Sequence, residues 1–236
     1  FSTNNPGMAA QEDLLLRECD LALATSKVLQ ERAESKAKRT LLLPNAVDFE
    51  RFSGASNDDR PDDLPVSEGP VIGYVGAISD WFDFDLLKPA VEAHPERTFV
   101  FIGSTWGADR HEQLARKPNV HFTGEKPYEE IPVYLGAFNC CVIPFKETRL
   151  TRATNPVKLY EYLASGKPVI AKRLPELEAF GDSIYLADDG TQFLEKLELA
   201  LEGESEEKAA ERVELVRSET WEARFTALRA ELDELF

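Results

Sequence analysis

The chain has 236 residues, of which 43% are hydrophobic and 30% are charged, so it has enough apolar side chains for one large or two small globular domains. A formal net charge of -16 argues against nucleic acid or an anionic membrane as the main partner, because association would begin against repulsion. Since no stretch approaches the ~20 apolar residues of a membrane-spanning helix, we expect a cytoplasmic protein without a transmembrane segment, for which peripheral contact with the inner face of the membrane stays open.

The first 52 residues predict a small strand–helix–strand unit. A helix-like segment at 9–18 precedes an apolar run at 21–25, a charged helix follows from Ser26, and a second apolar run covers 40–44. Two strands do not build a core by themselves. We therefore interpret residues 1–52 as the end of an incomplete domain.

The acidic, turn-rich stretch 53–68 predicts a linker. From 69 to 190, apolar runs of strand length alternate with helix-like segments, and several runs are continuously apolar, as parallel strands covered on both faces are. The pattern predicts an α/β domain with a Rossmann-like, doubly wound parallel sheet and crossover helices, followed by C-terminal helices at 191–236. The predicted strands cover 70–76, 98–103, 119–124, 139–145, 168–172 and 183–187, and the helices between them 84–93, 108–116, 128–137, 156–165 and 174–180.

The three cysteines predict neither a disulfide nor a metal site. Cys140 and Cys141 are neighbours in an apolar run that predicts a buried strand, and neighbours on a strand point to opposite faces. Cys19 stands alone, and the sequence contains no CxxC pair or Cys/His cluster. We expect reduced cysteines, no metal and no cofactor.

In an open parallel sheet, ligands bind at the carboxyl ends of the strands, where the strand order reverses. Three predicted strands end in glycine, at Gly76, Gly103 and Gly124. Glycine lets the backbone approach a ligand closely, but a tight turn alone also requires it, so both interpretations stay open. Ser79 stands where the last glycine of G-x-G-x-x-G would follow Gly76, which disfavours a dinucleotide ligand.

The loop after the predicted strand 139–145 carries Lys146, Arg149 and Arg152 in an otherwise acidic chain. Basic side chains at the carboxyl end of a strand, beside the start of a helix, are suited to neutralise a bound phosphate. An ordinary solvated loop has the same composition. Both interpretations stay open for this loop.

The stretch TNPVKLYEYLASGKPVI predicts a helix at 156–165, with Asn155 as N-cap and Pro156 at the first helical position. Its first backbone N–H groups would face the crevice and suit a phosphate group. Glu161 lies one turn further, ~5–6 Å along the axis, where its carboxylate would accept hydrogen bonds from both hydroxyls of a ribose. A salt bridge with Lys158, three residues earlier, explains the same spacing equally well.

Four segments resemble the GT-B glycosyltransferases, most closely the retaining, metal-independent group-1 type. They are NAVDFERF (45–52), GYVGAISDWFD (73–83), GEKPYEEIPVYL (124–135) and NPVKLYEYLASGKPVI (155–170). The resemblance implies two Rossmann-like domains, one for the acceptor and one for a nucleotide-sugar donor, with this chain supplying the donor-binding half. It also implies that the catalytic residues and a glycan or lipid-linked acceptor belong to the missing N-terminal domain, to which the last helix, around Trp221, returns.

The resemblance assigns roles to individual residues. Glu161 matches the second glutamate of the family's E-x7-E pattern, which holds the donor ribose, whereas Ala153 stands where the first glutamate would contact the sugar. The family's arginine and lysine after the first donor-domain strand are absent from the loop at 77–81. We therefore expect Arg149, Arg152 or Lys158 to hold the diphosphate.

Other candidate donor-binding residues follow from the same resemblance and from the strand ends. The loop that cradles the base and the turn that meets diphosphate and sugar match 126–128 and 154–155. With the strand-end residues, the further candidates are Gly76, Ser79, Gly103, Lys126, Pro127, Tyr128, Thr154 and Asn155.

The expected function is transfer of a sugar from a nucleotide-diphosphate-sugar to an acceptor, in cell-surface polysaccharide or glycoconjugate synthesis. We expect this chain alone to bind the donor, UDP-linked or another, without turning it over. Two alternatives stay open: a sugar-nucleotide epimerase on the same scaffold, and a non-catalytic nucleotide-sugar-binding module, which Ala153 favours.

Overall fold

A computed structural model of the chain describes residues 6–55, 60–105 and 111–235. The strands in this part of the chain are β1 (Ala22–Ala24), β2 (Thr40–Leu42), β3 (Val71–Val75), β4 (Thr98–Ile102), β5 (Val120–Gly124), β6 (Cys140–Ile143), β7 (Val169–Lys172) and β8 (Tyr185–Ala187). The helices are α1 (Pro6–Glu18), α2 (Lys27–Glu34), α3 (Phe49–Ser53), α4 (Phe84–Ala93), α5 (His111–Ala115), α6 (Ile131–Gly136), α7 (Arg149–Arg152), α8 (Val157–Ala164), α9 (Pro175–Glu178), α10 (Gly190–Glu202), α11 (Glu206–Val216) and α12 (Trp221–Asp233). Short 3-10 turns lie at Tyr128–Glu130 and Gly181–Ser183.

Strands β3 to β8 form one parallel sheet in the order β5-β4-β3-β6-β7-β8. From β3 the chain proceeds outward through β4 and β5, and β6 then returns to pair with β3 on its other side. The strand order therefore reverses between β3 and β6, which is the switch point of a doubly wound sheet. The predicted Rossmann-like α/β fold is confirmed.

The core lies on both faces of this sheet because its central strands are apolar along their whole length. All residues of β4 and β6 are buried, including both predicted strand cysteines. Helices α4 and α10 pack together against one face, and Phe138 packs so closely on Gly73 of β3 that any side chain at that position would overlap its ring. Continuous apolar runs thus identified fully covered strands.

The N-terminal strands β1 and β2 form a separate two-stranded parallel sheet packed on α2. The predicted linker leads from it to the large sheet; its residues 56–59 lie outside the described part of the chain, as do 108–110 of a predicted helix. Leu64 of the linker is buried in the core of the large sheet. The linker is therefore attached to the domain that follows it, while the predicted domain boundaries stay predictions.

The C-terminal helix α12 returns to the N-terminal segment. The backbone N–H of Val47 donates to the Glu219 carbonyl at 2.9 Å, and the guanidinium of Arg224 donates to the carbonyls of Pro44 and Asn45 at 2.9 and 3.1 Å. Trp221 on the same helix is 46% exposed. Among the described helices, none has the length and hydrophobicity that a bilayer-spanning segment needs.

Candidate functional site

The crevice at the switch point exists because β3 and β6 separate at their carboxyl ends. Only Ile72 and Gly73 of β3 are in register with β6. Further along, the Tyr162 hydroxyl of α8 accepts a hydrogen bond from the Val75 N–H at 2.8 Å and lies 3.3 Å from the Val75 carbonyl. A buried helix side chain therefore replaces the neighbouring strand, and α8 is fixed against the end of β3.

The loops that follow β3 and β6 are joined at the base of this crevice. The Asp83 N–H donates to the Pro144 carbonyl at 2.7 Å, and the Lys146 N–H donates to the Trp81 carbonyl at 2.7 Å. The Lys146 ammonium donates to the Asp80 carbonyl at 2.8 Å. Lys146, one of the three basic residues of the loop, thus holds the two loops together.

One side of the crevice, here the glycine side, is formed by the strand-end residues Gly76, Gly103 and Gly124. Gly76 and Gly103 have φ angles of +136° and +144°, which side chains rarely adopt. A methyl group on residue 103 would lie 2.1 Å from the Gly76 carbonyl oxygen. Close packing of one strand end on the next accounts for the glycine at 103, the simpler of the two interpretations. Ser79 closes the turn after β3 by accepting a hydrogen bond from Phe82 at its carbonyl.

The other side, here the helix side, is formed by α7 and α8. Helix α8 begins at Val157 with Pro156 as its N-cap and without a side-chain cap, so the predicted capping by Asn155 is wrong. The Asn155 side chain instead accepts the Asn45 N–H at 2.9 Å and donates to the Tyr160 hydroxyl at 3.1 Å. Because the Asn155 amide bonds to Asn45 in a distant segment, it does not cap α8. The N-cap residue of α8 therefore supplies no side-chain acceptor for the first N–H groups of the helix.

Glu161 lies in α8 with its side chain almost enclosed, at 7% exposure. Burial raises the pKa of its carboxyl above the ordinary value, while the Lys158 charge and a hydrogen bond from the Tyr128 hydroxyl lower it. Within the described residues, Glu161 and Lys158 do not form the salt bridge that their spacing allows. The carboxylate therefore retains acceptor capacity in the crevice.

Lys158, one turn before Glu161 in the same helix, extends to the end of β3. Its Nζ atom lies 5.2 Å from the Tyr74 ring centroid and 5.1 Å from the Phe145 ring centroid. A methyl group on Gly76 would lie 3.1 Å from that Nζ atom. Burial lowers the pKa of Lys158 to about 8, although the nearby Glu161 charge opposes the shift.

Tyr128 follows β5 and brings a third element to the site. Its ring is 43% exposed, packs edge-on against Phe52 at 5.6 Å, and lies under the Arg51 guanidinium at 5.2 Å. Pro127 precedes the 3-10 turn that presents it. The sequence prediction missed Arg51 and Phe52, although the segment NAVDFERF contains both.

The remaining candidates have local partners. Lys126 forms an ion pair with Asp63 of the linker, and Tyr134 donates to the same carboxylate at 2.8 Å. Arg152 forms an ion pair with Glu147, and the Thr154 hydroxyl donates to the Leu150 carbonyl at 2.8 Å. Arg149 is exposed on the one-turn helix α7.

The structure thus brings together Gly76, Tyr128, Lys158 and Glu161. An ammonium, a buried carboxylate and uncapped helix N–H groups are suited to a ligand that has an anionic group and neighbouring hydroxyls. Other concavities lie away from the crevice: a mainly apolar groove beside α12 and a cleft beside β8.

Residues 69–203, more than half of the chain, match the protein family described as Glycosyl transferases group 1. A stretch of 169 residues, 68% of this chain, is 32% identical to TuaH of Bacillus subtilis (strain 168), which is named as a teichuronic acid biosynthesis glycosyltransferase. The match covers 42% of TuaH, so the chain spans less than half of that relative.

Two solved structures share the fold over the whole chain. Sucrose-phosphate synthase of Thermosynechococcus elongatus superposes with a TM-score of 0.75 at 22% identity, over 100% of this chain and 63% of that one. Anabaena Alr3699/HepE, solved in complex with UDP and glucose, superposes with a TM-score of 0.72 at 19% identity, over 100% of this chain and 67% of HepE. By the family match and the similarity to TuaH, the chain belongs to the group 1 glycosyl transferases.

Proposed function

We propose that this chain is the donor-binding half of a glycosyltransferase, which moves a sugar from a nucleotide-diphosphate-sugar to an acceptor in cell-surface polysaccharide or glycoconjugate synthesis. The observation that carries the proposal is the buried Glu161 carboxylate, one helical turn from the uncapped start of α8 at the switch point. Family membership supports glycosyl transfer. The naming of TuaH for teichuronic acid synthesis and the UDP found in HepE support the acceptor class and the donor class.

In this proposal the Glu161 carboxylate accepts hydrogen bonds from the two ribose hydroxyls. The Tyr128 hydroxyl lies near the same carboxylate and lowers its pKa, so the base-side residue and the ribose-binding residue are adjacent. The diphosphate then points towards the start of α8 and the end of β3, and the base lies beside Tyr128, Pro127 and Lys126. Because Tyr128 is exposed on one side, its ring is available to stack on a base.

The chemistry proposed is departure of the nucleoside diphosphate from the anomeric carbon, with transfer to an acceptor hydroxyl and retention of configuration. Its barrier falls when positive groups are positioned where charge develops on the diphosphate. In the proposal the first N–H groups of α8, which have no side-chain cap, take this position, so no metal ion and no cofactor is required. Catalytic residues and the acceptor are assigned to the part of the protein that this chain does not contain.

Calorimetry with UDP and with its 2′,3′-dideoxy analogue tests the proposal. We expect the unaltered chain to prefer UDP by at least about tenfold, or about 1.4 kcal/mol, because only the ribose offers hydroxyls to Glu161. Glu161→Gln should remove most of this preference, since a neutral amide accepts hydrogen bonds more weakly than a carboxylate. The control is Glu178→Gln, an exposed glutamate of α9. Failure of the chain to bind UDP, GDP or ADP would overturn the donor-binding function.

A non-catalytic nucleotide-sugar-binding module is the second candidate, because Ala153 stands where the family's sugar-contacting glutamate would be. In the structure Ala153 caps the end of α7 and has no carboxylate to offer a sugar. Binding of UDP-glucose no tighter than UDP would favour the binding module, because the sugar would then make no contact that adds affinity. A gain in affinity for UDP-glucose over UDP in Ala153→Glu would favour the enzyme.

A further inference from the structure

Among the residues that the structure describes, the ammonium group of Lys158 has no hydrogen-bond acceptor. Neither a carbonyl nor a carboxylate of these residues accepts a hydrogen bond from its Nζ atom. The ammonium makes cation–π contacts with two aromatic rings and interacts electrostatically, at longer range, with Glu161. The Lys158 side chain is half-buried. An ammonium that is partly removed from water without an acceptor is costly, and cation–π contacts return only about 0.5–2 kcal/mol each. A group kept in this state is ready to receive an anion.

The ammonium lies at the place where an anion would meet the strand end. Tyr74 is in β3, Phe145 follows β6, and Lys158 is in the first turn of α8, so the three elements that surround the switch point converge on it. The two rings hold the ammonium in place beside Gly76, where the lack of a side chain leaves space for it. A positive charge is therefore present at the end of β3, although the loop of β3 itself contains no lysine or arginine.

The competing basic residues of the neighbouring loop have other partners or are exposed to solvent. The Lys146 ammonium donates to the Asp80 carbonyl, and Arg152 forms an ion pair with Glu147. Arg149 is exposed on α7 and is held by no aromatic ring in the described structure. Of the basic side chains around the crevice, Lys158 combines a fixed position with an unsatisfied charge.

We propose that Lys158 is the cation that binds the diphosphate of the donor and neutralises it as it departs, in place of basic residues in the loop after β3. The inference rests on the proposed donor-binding function and specifies the residue on which discrimination between a nucleoside diphosphate and a nucleoside depends. Gly76 contributes to the same binding site, because its lack of a side chain leaves the space that the Lys158 ammonium occupies.

Titration of the 236-residue chain and its variants with UDP and with uridine tests this assignment. In Lys158→Met, which keeps the length of the side chain, we expect UDP affinity to fall at least tenfold while uridine affinity changes less than twofold. The matched control is Lys88→Met, which removes an equal charge from the exposed surface of α4 and should change UDP affinity less than twofold. Equal UDP affinity in the Lys158→Met variant and the unaltered chain would overturn the inference but leave the donor site intact.

Gly76→Ala provides a second test in which the charge is kept and only displaced. The new methyl group would lie 3.0 Å from Cε and 3.1 Å from Nζ of Lys158, so the ammonium must move. We expect UDP affinity to fall at least fivefold with uridine affinity unchanged, and a thermal melt establishes that the variant is folded. Loss of both affinities would assign Gly76 to the fold alone, and absence of UDP binding by the unaltered chain would overturn both the inference and the proposed function.

Discussion

On the glycine side of the crevice the strands end in backbone packed on backbone, whereas on the helix side β6 is followed by two helices whose side chains face the site. Gly76, Gly103 and Gly124 contribute no side-chain atoms, and the first two lie within contact distance of each other. The helix side contributes Lys158 and Glu161, both with pKa values shifted by burial. Substitution of Gly103 should therefore act mainly on folding, and substitution of Lys158 or Glu161 on binding.

The largest expected effect tests the glycine side. Gly103→Ala should lower the free energy of unfolding by about 2–4 kcal/mol, because the methyl group meets the Gly76 carbonyl and the φ angle is unfavourable. Gly124→Ala is the matched control: it also has a positive φ, but a methyl group there would have no neighbour within 4 Å, so it should cost about 1–2 kcal/mol. Urea unfolding measures both, and equal losses would show that packing between strand ends does not matter.

A smaller effect is expected where the helix side meets the N-terminal segment. Asn155→Ala leaves the Asn45 N–H and the Tyr160 hydroxyl without their partner, so the free energy of unfolding should fall by about 1–3 kcal/mol. Thr154→Ala removes a local hydrogen bond one position earlier and should lower the free energy of unfolding by about 0.5 kcal/mol. If urea unfolding gave the two variants the same stability, the contact with Asn45 would contribute nothing to the fold.

The smallest effect is a pH dependence specific to the helix side. Lys158 binds an anion only when it is protonated, and burial lowers its pKa in the free chain to about 8. A bound diphosphate stabilises the protonated form and raises that pKa. The affinity for UDP therefore decreases as the pH rises through 8. UDP affinity should be about tenfold lower at pH 9 than at pH 7. The titratable groups that face Lys158 are Glu161 and the Tyr74 hydroxyl, whose pKa burial raises well above its ordinary value.

Calorimetry across this pH range measures the effect, with Lys158→Met as the control. Because methionine does not titrate, the affinity of this variant should stay constant from pH 7 to pH 9. The same decrease in the variant would assign the titration to another group and would contradict the part given to Lys158.

The strands of the large sheet could be predicted from the sequence because each strand has a local sequence signal. A continuous apolar run between turn residues identifies a covered parallel strand, and all six runs became β3 to β8. Helices α3 and α7 were not predicted, since elements of 5 and 4 residues are too short to show a helical period. The end of α8 was also predicted, with Gly166 at a positive φ.

The site was less predictable because its contacts join distant positions. Asn155 has the right chemistry for an N-cap, but Asn45, 110 residues away, competes for its side chain. The family resemblance left Lys158, Arg149 and Arg152 as equal candidates for the phosphate-binding residue. The distinction depends on Tyr74 and Phe145, which reach Lys158 from two other elements, and such convergence is invisible in the order of residues.

The attachment of α12 to the N-terminal segment bears on how the chain is synthesised. The carbonyls of Asn45 and Pro44 find their partner, Arg224, 179 and 180 residues later in the chain. At about 5–20 residues per second, translation separates the two by roughly 10–40 s. By the end of that interval all strands of the large sheet have been synthesised, whereas the carbonyls of Pro44 and Asn45 still lack their partner. An early segment of the chain is therefore among the last to be fixed in place, and it is available to chaperones until α12 emerges.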